Sequence, residues 1–244
     1  MLELWQMKNK PYDRVLLKLS GEQLAGKFDS GIDSEFGAWL AAEIKKVVSH
    51  GIQVVIMVGG GNYARGAQLA GHGIQRVTAD NIGMLATLMN GLALADICKA
   101  HDLPAVVITN IKADQVADQF THRRAESHLA KHRVVIVAGG IGRPYLTTDT
   151  AAVALALELE CQVVLKATKV DGVYNKDPAT FKDAVKIDRV SFHEAVSDNA
   201  IRVMDKAALG LAMEHELPII VFNATKPDTI VKAAHGDHTG TLIG

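Results

Sequence analysis

Apolar runs too short to be helices, separated by longer segments of helical period, are the feature that most narrows what this chain can fold into. The runs occupy residues 14–20 (RVLLKLS), 52–58 (IQVVIMV), 105–110 (AVVITN), 133–138 (RVVIVA), 162–166 (QVVLK) and 218–223 (PIIVFN). Between them, residues 34–49 carry apolar positions at helical spacing with Gly51 as a stop, and 79–100 is a long segment rich in Ala, Leu and Met. Thr147 or Thr148 is placed to cap a further helix that runs to Glu160, with Asp149 in its first turn. Residues 191–196 and 206–215 are also helical in pattern. Strands alternating with helices in this way build a mainly parallel sheet with crossover helices, which is an α/β fold. No repeat, low-complexity stretch or Pro/Gly/Ser-rich linker divides the 244 residues, so one domain is expected. Residues 1–13 then form an N-terminal extension, flexible or in contact with another subunit.

A chain that is 48% hydrophobic and 22% charged buries a substantial core. Its formal net charge of -1 offers no basic face for nucleic acid, so no nucleic-acid partner is expected. Cys98 and Cys161 are the only cysteines, too few for a disulfide scaffold or a zinc cage, which suits a reducing compartment. The N-terminus lacks the apolar run of a signal peptide, and no segment approaches about 18 uninterrupted apolar residues. The expectation is a cytoplasmic protein that does not enter a membrane.

Open α/β sheets bind ligands beyond the carboxyl ends of their strands, and those ends are where this sequence gathers glycine, lysine and threonine. The stretch V-G-G-G-N-Y-A-R-G after the second run fits two phosphate-binding patterns at once. Gly59, Gly61 and Ala64 satisfy the dinucleotide fingerprint, with Asp80 about 20 residues on as that motif asks. Gly61 and Gly66 have the spacing of the P-loop glycines. A P-loop requires Lys and Ser/Thr directly after its second glycine, and Ala67 and Gln68 stand there instead. The dinucleotide reading requires a second strand ending at the acidic residue, whereas three more glycines intervene and Asp80 opens a long helix. What remains is a set of glycine-rich strand ends exposing backbone N–H groups to anionic oxygens, with cations supplied from elsewhere. Lys18, inside an apolar strand and followed closely by Gly21, is the leading cation. It is costly in a core unless its charge meets a partner, the alternative being a side chain that snorkels from the strand end.

Taken together, K-L-S-G-E at 18–22, G-G-G-N-x-x-R-G at 59–66, D-N-I-G-M-L-A-T-L-M-N at 80–90, T-T-D-T-A-A at 147–152 and K-A-T-K-V-D-G-V-Y-N-K-D-P at 166–178 resemble the amino acid kinase family. Within it they are similar to its bacterial-type UMP kinases, in matching order from about Val15 to Ile243. The resemblance implies a three-layer α/β/α sandwich with a mainly parallel central sheet. It also implies transfer of the ATP γ-phosphoryl group to UMP, giving UDP and ADP for pyrimidine nucleotide synthesis, and a homohexamer built as a trimer of dimers. Mg²⁺ is implied as an ion carried mainly by the ATP phosphates, with no protein ligand assigned.

Carried over residue by residue, the resemblance makes Lys18, Arg65 and Asp149 the catalytic set, with Asp149 orienting Lys18 through a charge-assisted contact. It gives an ATP side of Lys18, Leu19, Ser20, Gly21, Gly61, Arg65, Lys166, Thr168, Tyr174 and Asp177. It gives a UMP side of Gly60, Asp80 and the loop Ile141, Gly142, Arg143, Pro144, Tyr145, Leu146, Thr147 and Thr148, where many relatives have Thr in place of Ile141. Four of these positions also have a plainer explanation. Arg65 is equally a solvated loop arginine, Asp149 a first-turn aspartate serving the helix dipole, Asp80 a helix cap and Tyr174 a packing aromatic. Asp205, in R-V-M-D, is either a site residue or structural. His128 and His132 stand four apart and would share a helix face, yet no third ligand accompanies them, and His235 and His238 read as surface loop residues. Other readings are a kinase of a carboxylate or carbamate on the same fold, or a non-catalytic nucleotide-binding protein. The nucleotide kinase reading places Gly60 and Gly61 opposite Lys18 and Asp149 across one crevice.

Overall fold

The main strands of the sheet alternate their side chains between two separate cores, and that alternation fixes the architecture of the computed structural model. The structure describes residues 11–244 except 65–68, 70–72, 177, 179, 199, 200, 202 and 238. In chain order the elements are β1 (Arg14–Leu19), α1 (Gly21–Leu24), α2 (Ser34–Ser49), β2 (Gln53–Val58), α3 (Arg76–Ala100), β3 (Ala105–Thr109), β4 (Asp118–Gln119), α4 (His122–Leu129) and β5 (Val134–Ala138). They continue as α5 (Thr148–Glu158), β6 (Val164–Thr168), β7 (Val173–Tyr174), β8 (Lys186–Ile187), β9 (Arg189–Val190), α6 (Phe192–Ser197), α7 (Lys206–Glu214), β10 (Ile219–Asn223), α8 (Thr229–His235) and β11 (Thr241–Ile243).

Nine strands form one sheet in the order β4-β3-β5-β2-β1-β6-β10-β11-β9, and β7 with β8 makes a separate two-stranded ribbon. The pairings of β1 with β2 and β6, of β5 with β2 and β3, and of β6 with β10 are parallel; among the described residues the antiparallel pairings are β11 with β10 in the sheet and β7 with β8 in the ribbon. Leu17, Leu19, Val54 and Ile56 point to a core closed by Leu40 and Ile44 of α2, Leu88 and Leu94 of α3 and Ile230 of α8. Leu16, Val55, Met57 and Val135 point to the opposite core, closed by Leu129 of α4, Ala152 and Leu155 of α5 and Leu209 of α7. The result is the expected helix, sheet, helix sandwich.

The predicted segments coincide with elements, with shifts at their ends. The strand expected at 162–166 runs Val164–Thr168, which takes Thr168 into the sheet. Helix α3 starts at Arg76 and not at Asp80, and its N-cap is Gln75, so Asp80 sits in the second turn and is no cap. By length and composition α3 is also apolar enough to cross a membrane, but Leu88, Leu94 and Cys98 are packed into the core. Two histidine readings change. Helix α4 ends at Leu129 and His132 adopts φ 54°, so His128 and His132 do not share a helix face. His235 is the last residue of α8, its Nε2 2.8 Å from Nδ1 of His50, while His238 lies outside the described residues.

Candidate active site

Lys18 and Lys166 are register partners on adjacent parallel strands, which sends both side chains to the α5 face of the sheet near its carboxyl edge. Thr147 caps α5 by accepting from the N–H groups of Asp149 (3.0 Å) and Thr150 (3.3 Å), which puts Asp149 in the first turn. The Asp149 carboxylate meets Lys18 Nζ at 2.6 Å, and Lys166 Nζ donates to both its oxygens at 2.6 Å. Side-chain exposures of 7% for Lys18, 12% for Lys166 and 15% for Asp149 make this a nearly buried three-charge cluster. Burial pushes the Asp149 carboxyl up, but attraction to Lys18 and Lys166 outweighs it and holds the group below the usual carboxylate range. Lys166 is driven down to about 8, first by burial and then by repulsion from Lys18, with Asp149 opposing both. The snorkelling alternative for Lys18 is thereby excluded, since its ammonium is buried and paired.

Asp149 also lies on the wall of a cavity of about 530 Å³ shared with Ala195, Asp198, Ile201, Val203, Met204, Asp205 and Lys206. Asp205 caps α7 and accepts from the hydroxyl of Thr150 at 3.0 Å and from the hydroxyl of Thr147. It ties the starts of α5 and α7 together.

On the other side of Asp149, Thr147 and Thr148 line a second cavity, of about 180 Å³. Its opposite walls are Gly60, Ala64 and the α3 residues Asp80, Gly83, Met84 and Thr87, and its rim is Gly140, Ile141, Arg143 and Leu146. The four α3 residues stand at i, i+3, i+4 and i+7, one face of a helix. Asp80 holds the loop over this cavity: its carboxylate accepts from Arg76 Nε at 2.9 Å and from the Tyr145 N–H at 2.9 Å. Tyr145 pays for that contact with φ 68°, and its ring lies 5.2 Å from the Arg76 guanidinium.

The glycine stretch is held by a buried amide pair. Asn90 donates to the Gly59 carbonyl (2.7 Å) and exchanges hydrogen bonds with Asn62 (2.7 and 2.9 Å). A Cβ on Gly21 would stand 2.6 Å from the Gly61 nitrogen, so the loops after β1 and β2 touch only because residue 21 is glycine. A Cβ on Gly60 would stand 2.7 Å from the Gly83 carbonyl, so close packing on α3 requires that glycine. Gly60 faces Thr147 and Thr148 across the smaller cavity, while Gly61 lines neither.

A sequence profile of the amino acid kinase family matches residues 13–223. The chain belongs to the amino acid kinase family. It is 44% identical over 237 residues to a uridylate kinase of Dichelobacter nodosus (strain VCS1703A), covering 97% of this chain and 98% of that one. Among solved structures it is similar to a UMP kinase of Bacillus anthracis, with a TM-score of 0.91 and 40% identity over 96% of this chain and 97% of the other. A UMP kinase of Ureaplasma parvum follows with a TM-score of 0.88 and 33% identity over 96% and 99%.

In this amino acid kinase the expected residues divide into four groups. Lys18, Asp149 and Lys166 meet directly, and Gly60, Asp80, Ile141, Arg143, Leu146, Thr147 and Thr148 share one cavity. Leu19, Ser20, Gly21, Thr168 and Tyr174 line neither cavity, as do Gly142, Pro144 and Tyr145 of the loop. Leu19 is buried in the core, Ser20 caps α1, and the Thr168 hydroxyl lies 2.6 Å from the Val170 carbonyl. Tyr174 pairs with Lys186 in the ribbon. Arg65 and Asp177 lie outside the described residues. Sequence reading gave no separate role to Met84 and Thr87, which helical spacing from Asp80 would have found, to Asn90, whose partners are Gly59 and Asn62, or to Ile201, Val203 and Met204, which carry no periodic signal.

Proposed function

We propose that this chain is a UMP kinase, transferring the γ-phosphoryl group of ATP to UMP to give UDP and ADP. The observation that carries the reading is the junction at the start of α5, where an aspartate paired with two lysines lines one cavity and the two threonines before it line another, at the carboxyl edge of a parallel sheet. Likeness to uridylate and UMP kinases over nearly the whole chain supports the choice of reactants.

Phosphoryl transfer asks a protein to align two anionic reactants and to neutralise charge spread over the transferring oxygens. A phosphate monoester has a second pKa near 6, so the attacking oxygen of UMP is already ionised at pH 7 and no general base is needed. In this reading Lys18 and Lys166 face the transferring group and Asp149 fixes both ammoniums. Arg65 adds charge from the glycine loop. Asp80 receives the ribose hydroxyls of UMP, and the loop 141–148 encloses its base and phosphate. ATP lies against the larger cavity, with Ile201, Val203 and Met204 as its apolar wall, and extends beyond it to Gly21, Gly61, Thr168 and Tyr174, which line neither cavity; Asp177 is assigned to the same nucleotide. Among the described residues no three His, Cys, Asp or Glu side chains form a metal cage, and Asp149 and Asp205 are saturated by lysines, hydroxyls and an N–H group. That donor set fits magnesium arriving as part of the substrate MgATP.

The finer reading is a single-domain cytoplasmic enzyme assembled as a homohexamer, a trimer of dimers. The outer face of α3 presents exposed Val77, Leu85 and Met89 at helical spacing as a candidate subunit contact. Light scattering on the eluting protein tests the assembly. A coupled assay with ATP and magnesium against UMP, CMP, dUMP and a panel of amino acids tests the reaction. Phosphorylation of an amino acid without phosphorylation of UMP overturns the assignment.

A further inference from the structure

The charge count of the buried cluster does not balance. Two ammoniums, from Lys18 and Lys166, share the single carboxylate of Asp149, and all three side chains are largely removed from water. Among the described residues, the elements packed around Lys166 bring it no carboxylate besides Asp149. On β10 its register partner is Val221, which carries no charge. From β1 comes Lys18 and from α5 comes Asp149. Asp205 at the start of α7 lines the cavity that Asp149 lines, but its oxygens already accept from Thr147, Thr150 and the Ala208 N–H. Asp198 and Lys206 are the remaining charged groups on that cavity wall and oppose one another in sign.

On the kinase reading above, we propose that the nucleotide phosphates are the missing anion and that their binding is coupled to uptake of a proton by Lys166. The balance is simple: a neutral Lys166 amine takes one proton from the buffer, becomes an ammonium, and no covalent bond to the nucleotide forms. Burial and the neighbouring Lys18 hold Lys166 down to about 8, against an ordinary 10.5. An adjacent triphosphate favours the charged form and returns the group toward its ordinary range. The bound state therefore holds more protons than the free state in the window above pH 8, and affinity falls as pH rises through it. From this group alone, nucleotide binds about tenfold more weakly at pH 9 than at pH 7.

Calorimetric titration of the full-length enzyme with MgATP, without acceptor, tests the idea. At pH 8.5, in two buffers of different ionisation enthalpy, the difference in heat counts the protons moved. ATP phosphates, with a last pKa near 6 to 7, contribute almost nothing there. The expected result is uptake of about 0.7 proton by the native enzyme and none by Lys166→Arg, which keeps its charge at all pH values used. Binding of MgATP without proton uptake by the native enzyme overturns this inference and leaves the kinase reading standing. Undiminished uptake in Lys166→Arg overturns it as well. Failure to bind MgATP at any pH removes the kinase reading itself. Should the variant not fold, the native measurement and its affinity ratio between pH 7 and 9 still decide.

Discussion

Replacing Lys18 by methionine separates what the cluster does for stability from what it does for turnover. Methionine keeps most of the stem and removes the charge, leaving Lys166 and Asp149 as one balanced pair at 2.6 Å. The displacement of Lys166 from 10.5 to about 8 corresponds to a penalty of about 3 kcal/mol on its charged form, of which burial is the larger cause and Lys18 the second. Removing Lys18 releases its share and sacrifices one ion pair, and buried pairs replaced by apolar side chains of similar volume are commonly neutral or stabilising. The expected change is between zero and about 2 kcal/mol of added stability. For a chain of this size that raises Tm by up to about 6 °C at pH 7 and fixed protein concentration. Turnover should fall by at least about 100-fold while UMP still binds, because the lysine acts mainly on charge that develops in the transition state.

The pH dependence supplies a second readout. In the native protein the folded value of Lys166, about 8, lies below its unfolded value of 10.5. Between the two the unfolded chain holds more protons, so stability rises with pH across that window. In Lys18→Met the folded value moves back up and that rise shrinks. Scanning calorimetry at pH 7, 8 and 9 beside a coupled turnover assay measures all of this. A drop in Tm of more than about 4 °C, or turnover within tenfold of native, would refute the reasoning.

Three further perturbations follow from the same geometry. Asp149→Asn leaves two buried ammoniums without a carboxylate and should cost about 3–5 kcal/mol at pH 7, less at pH 9 where Lys166 sheds its proton; a loss independent of pH, read by chemical denaturation, contradicts the charge count. Asn90→Leu strips the donors from the Gly59 carbonyl and from Asn62, a loss of about 2–3 kcal/mol that faster amide exchange through residues 59–62 should report, and unchanged exchange would remove the amide pair as the anchor of the glycine stretch. Gly83→Ala places a methyl in open space on the wall of the smaller cavity, so α3 gains about 1 kcal/mol from helix propensity. On the proposed assignment KM for UMP rises and KM for ATP stays, and a rise confined to ATP would exchange the two cavities.

Much of this fold is written at short range. Charged or polar residues rarely interrupt the six main strands, and the two-residue alternation that divides Leu16 from Leu17 tells which side chain enters which core. The strands that escaped notice are two or three residues long, β4, β7, β8, β9 and β11, and no periodicity can be read from so few positions. Lys18 was legible because a charge in an apolar strand demands a partner. Its sharing of Asp149 with Lys166 was not, because that contact depends on the register of β1 with β6 and on where α5 begins. Gly60 shows the opposite case, in which a glycine attributed to phosphate approach is required by the packing of its loop on α3.

The same distances explain why no short phosphate motif describes this chain. A P-loop puts its glycines, lysine and hydroxyl in one segment, so the helix that follows fixes them together. Here the glycines follow β2, the cations come from β1 and β6, and the hydroxyls and the carboxylate from the start of α5. A divided site needs a rigid corner, and Thr147 provides it. Its hydroxyl caps α5 and donates to Asp205, which caps α7, so two helix N-termini are locked to one another beside both cavities. Each N-terminus brings positive dipole toward the place where phosphates would lie. Thr147 and Thr148 face one cavity and Asp149 the other, so a movement of that first turn shifts the walls of both together. On the proposed assignment, the alignment of two substrates reduces to the placement of one helical turn.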